Sequence, residues 1–261
     1  MMKHIPRKRF GQNFLTDQLV LSQIIRAIHP KAGDTMVEIG PGLAAMTSLL
    51  LQALPHMHVV ELDRDLVVRL RKQFSEQQLS IHEGDALKFD FGTIPVPAGQ
   101  KLRVVGNLPY NISSPLLFHL AEIAHLVEDQ HFMLQKEVVE RMVAEPGSKA
   151  YGRLSVMLQW RYHMELLFVV PPDAFDPPPK VDSAIVRMIP RNDVPDCQQA
   201  DLETVVTKAF SQRRKVIRNC VAGLLSEAEL QQAGVDPQVR PETVPLEQYV
   251  ALAQIVAARR T

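Results

Sequence analysis

The chain has 261 residues, 46% hydrophobic and 22% charged, enough core-forming sequence for one large domain with a smaller one appended. Its 29 Lys and Arg balance 29 Asp and Glu, so net charge lends nucleic-acid binding no support, and two cysteines, Cys197 and Cys220, exclude a disulfide framework or a cysteine zinc cluster. No apolar stretch follows the basic N-terminus and the longest apolar run, residues 166–170, is far too short to span a bilayer, so a cytoplasmic protein without membrane contact is expected.

Residues 1–16 carry Lys3, Arg7, Lys8 and Arg9 with no acid and no periodicity, and read as an irregular docking arm. Asp17 can cap a helix to about residue 28, with Leu19, Ile24, Ile25 and Ile28 as its apolar stripe. A strand over 35–39 runs into Gly40-Pro41-Gly42 and an apolar helix to about 54. A strand at 58–62, a helix at 65–74 and a strand at 79–82 ending on Glu83-Gly84-Asp85 come next. After a Pro- and Gly-rich loop (92–100) a strand reaches Asn107; a helix from Ser113 or Ser114 to about 126, a strand at 130–135 and a helix at 136–144 follow. This alternation predicts an α/β, doubly wound, mostly parallel Rossmann-like sheet. Strands at 161–170 and 183–189 have no helix between them, are expected to form an antiparallel hairpin, and bring the sheet to seven strands. From residue 190 only helical patterns remain, at 198–211, 213–225, 226–233 and 246–259. Two domains are expected, 1–189 with the arm and a small helical one over 190–261.

The stretch Val104-Val-Gly-Asn107-Leu108-Pro109-Tyr110 concentrates the chemistry. Pro109 has no N–H and must end the strand, and it holds Leu108 extended, which aims the carbonyls of Asn107 and Leu108 outward. An amide side chain, free carbonyls and the Tyr110 ring make a cup for a planar group bearing an NH₂, such as the exocyclic amine of adenine. Gly40 and Gly42 let the backbone turn tightly and approach a ligand at a helix start. Glu61, about twenty residues on at the end of the next strand, stands where an acid takes the hydroxyls of a ribose. Asp85 ends the third strand, so Gly40, Glu61, Asp85 and Asn107 all face one crevice outside the carboxyl ends of the sheet. Gly40-x-Gly42-x-x-Ala45 also fits a dinucleotide fingerprint, but a nicotinamide dehydrogenase has no use for an amine-accepting cup.

These residues resemble the small-subunit (16S) ribosomal RNA adenine dimethyltransferases, the bacterial enzymes whose loss gives kasugamycin resistance. The likeness runs through Gly11-Gln12-Asn13-Phe14-Leu15, Val37-Glu38-Ile39-Gly40-Pro41-Gly42, Val60-Glu61-Leu62-Asp63, Glu83-Gly84-Asp85-Ala86 and Asn107-Leu108-Pro109-Tyr110. It continues in Pro146-Gly147-Ser148-Lys149, Phe175-x-Pro177-Pro178-Pro179-Lys180-Val181-Asp182-Ser183 and Ala209-Phe210-x-Gln212-Arg213-Arg214-Lys215. The cup alone recurs in amino-methyltransferases generally; the last two stretches and the arm narrow the likeness to this family. Met46 departs from it, standing where many relatives have leucine.

The resemblance implies S-adenosylmethionine as cofactor, with Gly40 and Gly42 beside its methionine part, Glu61 on the ribose and Asp85 and Ala86 near its adenine. Asn13 and Leu15 would belong to an arm that closes over it, and no metal is implied. It also implies, as substrate, N6 of two adjacent adenosines near the 3′ end of small-subunit rRNA, reached in the small ribosomal subunit by a monomeric enzyme. In that reading Asn107 Oδ1 and the Leu108 carbonyl accept the amine protons, while Tyr110 and Phe175 sandwich the flipped base. Lys3, Arg7, Lys8 and Arg9, and a second cluster of Lys208, Arg213, Arg214, Lys215 and Arg218 on an acid-free helix, suit phosphate contact. The rival readings are an adenine methylase acting on another RNA or on DNA, and a ribosome-assembly factor that keeps the fold mainly as a binding module.

Overall fold

The structure, a computed structural model, describes residues 13–193, 196–212 and 214–259. The elements in chain order are β1 (Phe14–Leu15), α1 (Gln18–Ile28), β2 (Thr35–Ile39), α2 (Ala45–Leu50), β3 (Met57–Glu61), α3 (Arg64–Gln73), β4 (Leu79–Glu83), β5 (Leu102–Asn107), α4 (Ser113–Glu122) and β6 (Val127–Gln135). Then come α5 (Lys136–Met142), α6 (Arg153–Gln159), β7 (Tyr162–Val170), β8 (Phe175–Asp176), β9 (Ser183–Pro190), α7 (Gln199–Ala209), α8 (Ile217–Cys220), α9 (Glu227–Gln232) and α10 (Leu246–Ala258).

Seven strands form one sheet in the order β4-β3-β2-β5-β6-β9-β7, and β1 pairs with β8 outside it. From β4 to β6 every pairing is parallel, and β9 runs antiparallel to β6. The chain leaves β2 towards β3 and β4, then returns to lay β5 on the other flank of β2. That reversal is the topological switch point, where the two connections diverge and leave a crevice at the strand ends. The approach of β5 to β2 demands a glycine: a Cβ on Gly106 would lie 2.7 Å from the Ile39 carbonyl oxygen.

The last two strands, β7 and β9, are neighbours in the sheet, as expected. β9 also bonds to β6 and so lies inside the sheet. The linking segment uses its middle, β8, to bind β1, with register Phe14 to Asp176 and Leu15 to Phe175.

α1 starts as expected at Asp17, whose Oδ1 accepts from Leu19 N at 2.8 Å and Val20 N at 3.1 Å. Its buried face is Leu21, Ile24 and Ile28, while Leu19, expected on the stripe, is exposed because it falls outside that helical spacing. Away from the crevice, Arg103 near the start of β5 ties the base of the sheet together. Its guanidinium takes both carboxylate oxygens of Asp129 on β6 at 2.8 and 2.7 Å, Asp34 at 2.5 Å and the Ile28 carbonyl at the end of α1 at 2.6 Å.

The chain divides into two compact units, residues 1–139 with 165–190, and residues 140–164 with 191–261. Residues 140–164 fall in the same unit as 191–261, because α6 packs on α7 and α10. In that second unit α7 packs on α10, and the Tyr249 hydroxyl donates to the Pro241 carbonyl at 2.8 Å. The helix expected over 198–211 ends at Ala209, and that over 213–225 shrinks to the single turn of α8. Val216 is extended there, because Ile217 N reaches out to the Val239 carbonyl at 2.7 Å. Among the described residues no helix is long and apolar enough to cross a membrane.

Candidate active site

A cavity of about 380 Å³ occupies the crevice. Its first wall is the turn after β2. Gly40 and Gly42 have φ of 67° and 57°, in the left-handed region that a side chain strains, and Gly40 N bonds to the Val60 carbonyl at 2.9 Å. At Gly42 a Cβ would come within 3.1 Å of Cδ1 and Cε1 of Phe14, so the arm's aromatic ring packs directly on this turn.

Glu61 closes β3 facing the turn. Its Oε2 accepts from Gly42 N at 3.3 Å and its Oε1 from Asp63 N at 2.8 Å. Burial raises its pKa, opposed by those backbone bonds. Beside it Leu62 presents an apolar side chain, 48% exposed although large, and Asp85, Ala86 and Leu87 continue the wall beyond β4. Asp85 Oδ1 accepts from Leu87 N at 3.0 Å, which fixes the carboxylate at the turn.

Asn107 ends β5. Its Nδ2 donates to the Asn13 carbonyl at 3.1 Å, and among the described residues Oδ1 has no hydrogen-bond donor. Leu108 N bonds to the Met133 carbonyl at 3.1 Å, while the Leu108 carbonyl accepts nothing among the described residues. The structure therefore brings Asn13, Leu15, Gly40, Gly42, Glu61, Asp85, Ala86, Asn107 and Leu108 around one cavity.

Tyr110 and Phe175 are not in that lining. Tyr110 anchors its hydroxyl on Ser183 Oγ at 2.7 Å, at the start of β9. Phe175 is 4% exposed, pairs through β8 with Leu15, and packs with Leu15, Met133 and Ile185 in the core. Its ring lies in the core and outside the cavity lining.

Among the lining residues not assigned from sequence are Phe14, Glu38 and His131. Phe14 lies in the Asn13–Leu15 motif, and its contact with Gly42 depends on β1 docking. Glu38 sits one residue before the end of β2, almost fully buried, and accepts from Thr47 Oγ1 at 2.6 Å. Desolvation lifts its pKa to about 7, against the Thr47 hydrogen bond and with a further push from Glu61. An acid inside a strand was the available signal. His131 on β6 also faces the cavity, and nothing in its sequence neighbourhood marked it.

The glycine turn, the anchored acid of Glu61, the apolar Leu62 and the Asp85 turn fit an adenosine-bearing cofactor, and the Asn107–Leu108 acceptors fit an amine. The sequence profile of the ribosomal RNA adenine dimethylase family matches residues 3–258. The chain is 77% identical over 252 residues to the ribosomal RNA small subunit methyltransferase A of Janthinobacterium sp. (strain Marseille), covering 97% of this chain and 99% of that one. A dimethyladenosine transferase from Plasmodium falciparum shares the fold, with a TM-score of 0.76 at 24% identity, over 95% of this chain and 98% of that one. The 23S rRNA methyltransferase ErmE gives a TM-score of 0.71 at 25% identity, over 94% of this chain and 100% of that one. On the match of nearly its whole length, the chain belongs to the ribosomal RNA adenine dimethylase family.

Proposed function

We propose that this protein transfers methyl groups from S-adenosylmethionine to N6 of two adjacent adenosines near the 3′ end of small-subunit rRNA, two to each, acting on the small ribosomal subunit. The observation that carries the reading is the pair of acceptors at the end of β5, Asn107 Oδ1 and the bare Leu108 carbonyl, beside the glycine turn and Glu61.

S-adenosylmethionine supplies an electrophilic methyl on a sulfonium. The chain's residues must hold it and prepare the nucleophile. Glu61 has one lone pair of each oxygen committed to a backbone N–H, and a carboxylate offers about four such sites, so it can also accept from both hydroxyls of a ribose. Leu62 offers an apolar face and Asp85 an acceptor to the adenine end. Asn13, Phe14 and Leu15 cover the turn from above.

An exocyclic amine is a poor nucleophile because its lone pair is delocalised into the ring. Accepting its protons at Asn107 Oδ1 and the Leu108 carbonyl favours the pyramidal nitrogen, whose lone pair can attack in line. The nitrogen would gain the methyl as the sulfonium's S–C bond breaks to leave a neutral thioether, and would release one proton to solvent, with no covalent intermediate on the protein. The base has to leave its stack to arrive there. Tyr110, held by Ser183, can flank it, whereas Phe175 is buried beside Leu15.

Exposed Arg214 and Lys215 suit phosphate contact. Arg218 is half-buried and pairs with Glu227 at 3.3 Å, so tertiary structure places an acid beside a cluster that is acid-free in sequence. Lys3, Arg7, Lys8, Arg9 and Arg213 lie outside the described residues. Transfer of labelled methyl to undermethylated small subunits, compared with naked rRNA and with DNA, tests the reading. Subunits are expected to accept two methyls at each of two adenosines; equal transfer to DNA or naked rRNA, or none to subunits, overturns it.

A further inference from the structure

Ser183 is fully buried and opens β9, a strand whose other buried residues, Ala184, Ile185, Val186 and Met188, are apolar. A hydroxyl in such surroundings needs a partner. Among the described residues that partner is the Tyr110 hydroxyl, at 2.7 Å. The topology brings the two together. β9 runs antiparallel to β6, so its first residue lies beside Gln135, the last residue of β6, at the carboxyl end of β5 and β6. Asn107, Met133 and Ile185 are register partners across β5, β6 and β9. Ser183 stands two residues beyond that row on the same face, so it overreaches the end of β5 and meets the turn that follows Asn107.

Tyr110 is held at its other end too. Its carbonyl accepts from Ser113 Oγ at 3.1 Å, at the start of α4, and Ile112 N bonds to the Pro109 carbonyl at 3.2 Å, closing the turn around it. With the backbone fixed at one end and the phenol oxygen at the other, the axis of the ring is set. A half-buried tyrosine without the second anchor is free to exchange rotamers. Burial raises the Tyr110 pKa against the pull of the Ser183 bond, so the phenol keeps its proton.

We propose that Ser183 is a positioning residue for methyl transfer: by holding the Tyr110 hydroxyl it fixes the ring that flanks the target base before the base arrives. The inference rests on the proposed function, in which the base enters beside the Asn107–Leu108 acceptors. Ser183 touches no reactant in this reading. Its contribution is preorganisation, which spares the reaction the cost of ordering the ring with the base already bound.

The test is a double-mutant cycle on the full chain, read as single-turnover methyl transfer to undermethylated small subunits. Ser183→Ala and Tyr110→Phe remove the same bond from opposite sides. Each should lower the rate at saturating subunits about tenfold, the worth of one good hydrogen bond, and the double variant should be no slower than either. The subunit concentration giving half the maximal rate should hold, as should S-adenosylmethionine affinity by calorimetry, because neither residue lines the cavity. A Ser183→Ala variant that slows transfer equally with or without the Tyr110 hydroxyl would make the serine a structural residue only. Tyr110→Phe at native rate overturns the inference whether or not the serine variant folds. An active parent beside a Ser183→Ala variant of native rate overturns this inference alone, whereas a parent that transfers no methyl overturns the proposed function and this inference with it.

Discussion

Asn107 donates its side-chain amide to the backbone carbonyl of Asn13, across 94 residues of sequence, at 3.1 Å. The bond does two things at once. It leaves Oδ1 of Asn107 for the proposed amine, and it joins the end of β5 to the segment whose Phe14 packs against Gly42. Asn107→Ala should therefore lower the single-turnover methylation rate by about 10²-fold or more, the scale for losing one aimed catalytic hydrogen-bonding group. Asn107→Asp keeps an acceptor but sets a carboxylate against the Asn13 carbonyl, so it should also weaken cofactor binding. Rates and calorimetric affinities measured together separate the two effects, and near-native turnover of the alanine variant would remove Asn107 from the chemistry.

Glu61 is locked by Gly42 N and Asp63 N before any ligand arrives. Glu61→Gln can no longer accept at both ends of the side chain, and its new NH₂ faces a backbone donor. S-adenosylmethionine affinity should fall by roughly 1–3 kcal/mol, as for other lost hydrogen bonds to a charged group. Calorimetry giving an unchanged affinity would refute the ribose assignment.

Glu38 has a folded-state pKa of about 7 against an ordinary 4.5, caused first by burial. The folded chain thus keeps a proton that the unfolded chain has lost, so the native state is favoured below about pH 4.5 and loses that contribution as pH rises through 7. The full effect is at most about 3 kcal/mol. Glu38→Gln mimics the protonated form and can still accept from Thr47 Oγ1. Its stability relative to the parent should rise between pH 5 and pH 8 in denaturant titrations. A constant difference across that range would mean that Glu38 titrates normally.

Arg214 and Lys215 are both exposed on the turn between α7 and α8, so they are free to meet the same phosphate row. Replacing both by Gln should weaken binding to small ribosomal subunits and flatten the plot of log K against log salt by up to about two units, roughly one per lost phosphate contact. Affinity for S-adenosylmethionine should not change. An unaltered slope in the folded double variant would make the pair a solvated surface.

The row of Gly40, Glu61, Asp85 and Asn107 was legible without coordinates. Strand–helix alternation dictates a parallel sheet, and in such a sheet every strand's carboxyl end faces the same crevice, so local pattern alone places residues that are distant in sequence. Asp17 as a cap, and Gly40 and Gly42 as tight-turn residues, were equally readable, because a cap and a turn are properties of a few consecutive residues.

Contacts between distant segments were decided only by the tertiary structure. Phe175 looked like a ligand for a base until β8 paired with β1 and buried it among Leu15, Met133 and Ile185. The basic stretch 208–218 looked like one helix free of acids, but Ile217 bonds to Val239, which breaks the helix, and Glu227 folds back on Arg218. Glu38 and His131 come to lie in one row of the sheet because β5 inserts between β2 and β6, a register that no local periodicity encodes. Their pKa values follow from desolvation, and desolvation depends on which segments cover a residue once the chain has closed over it.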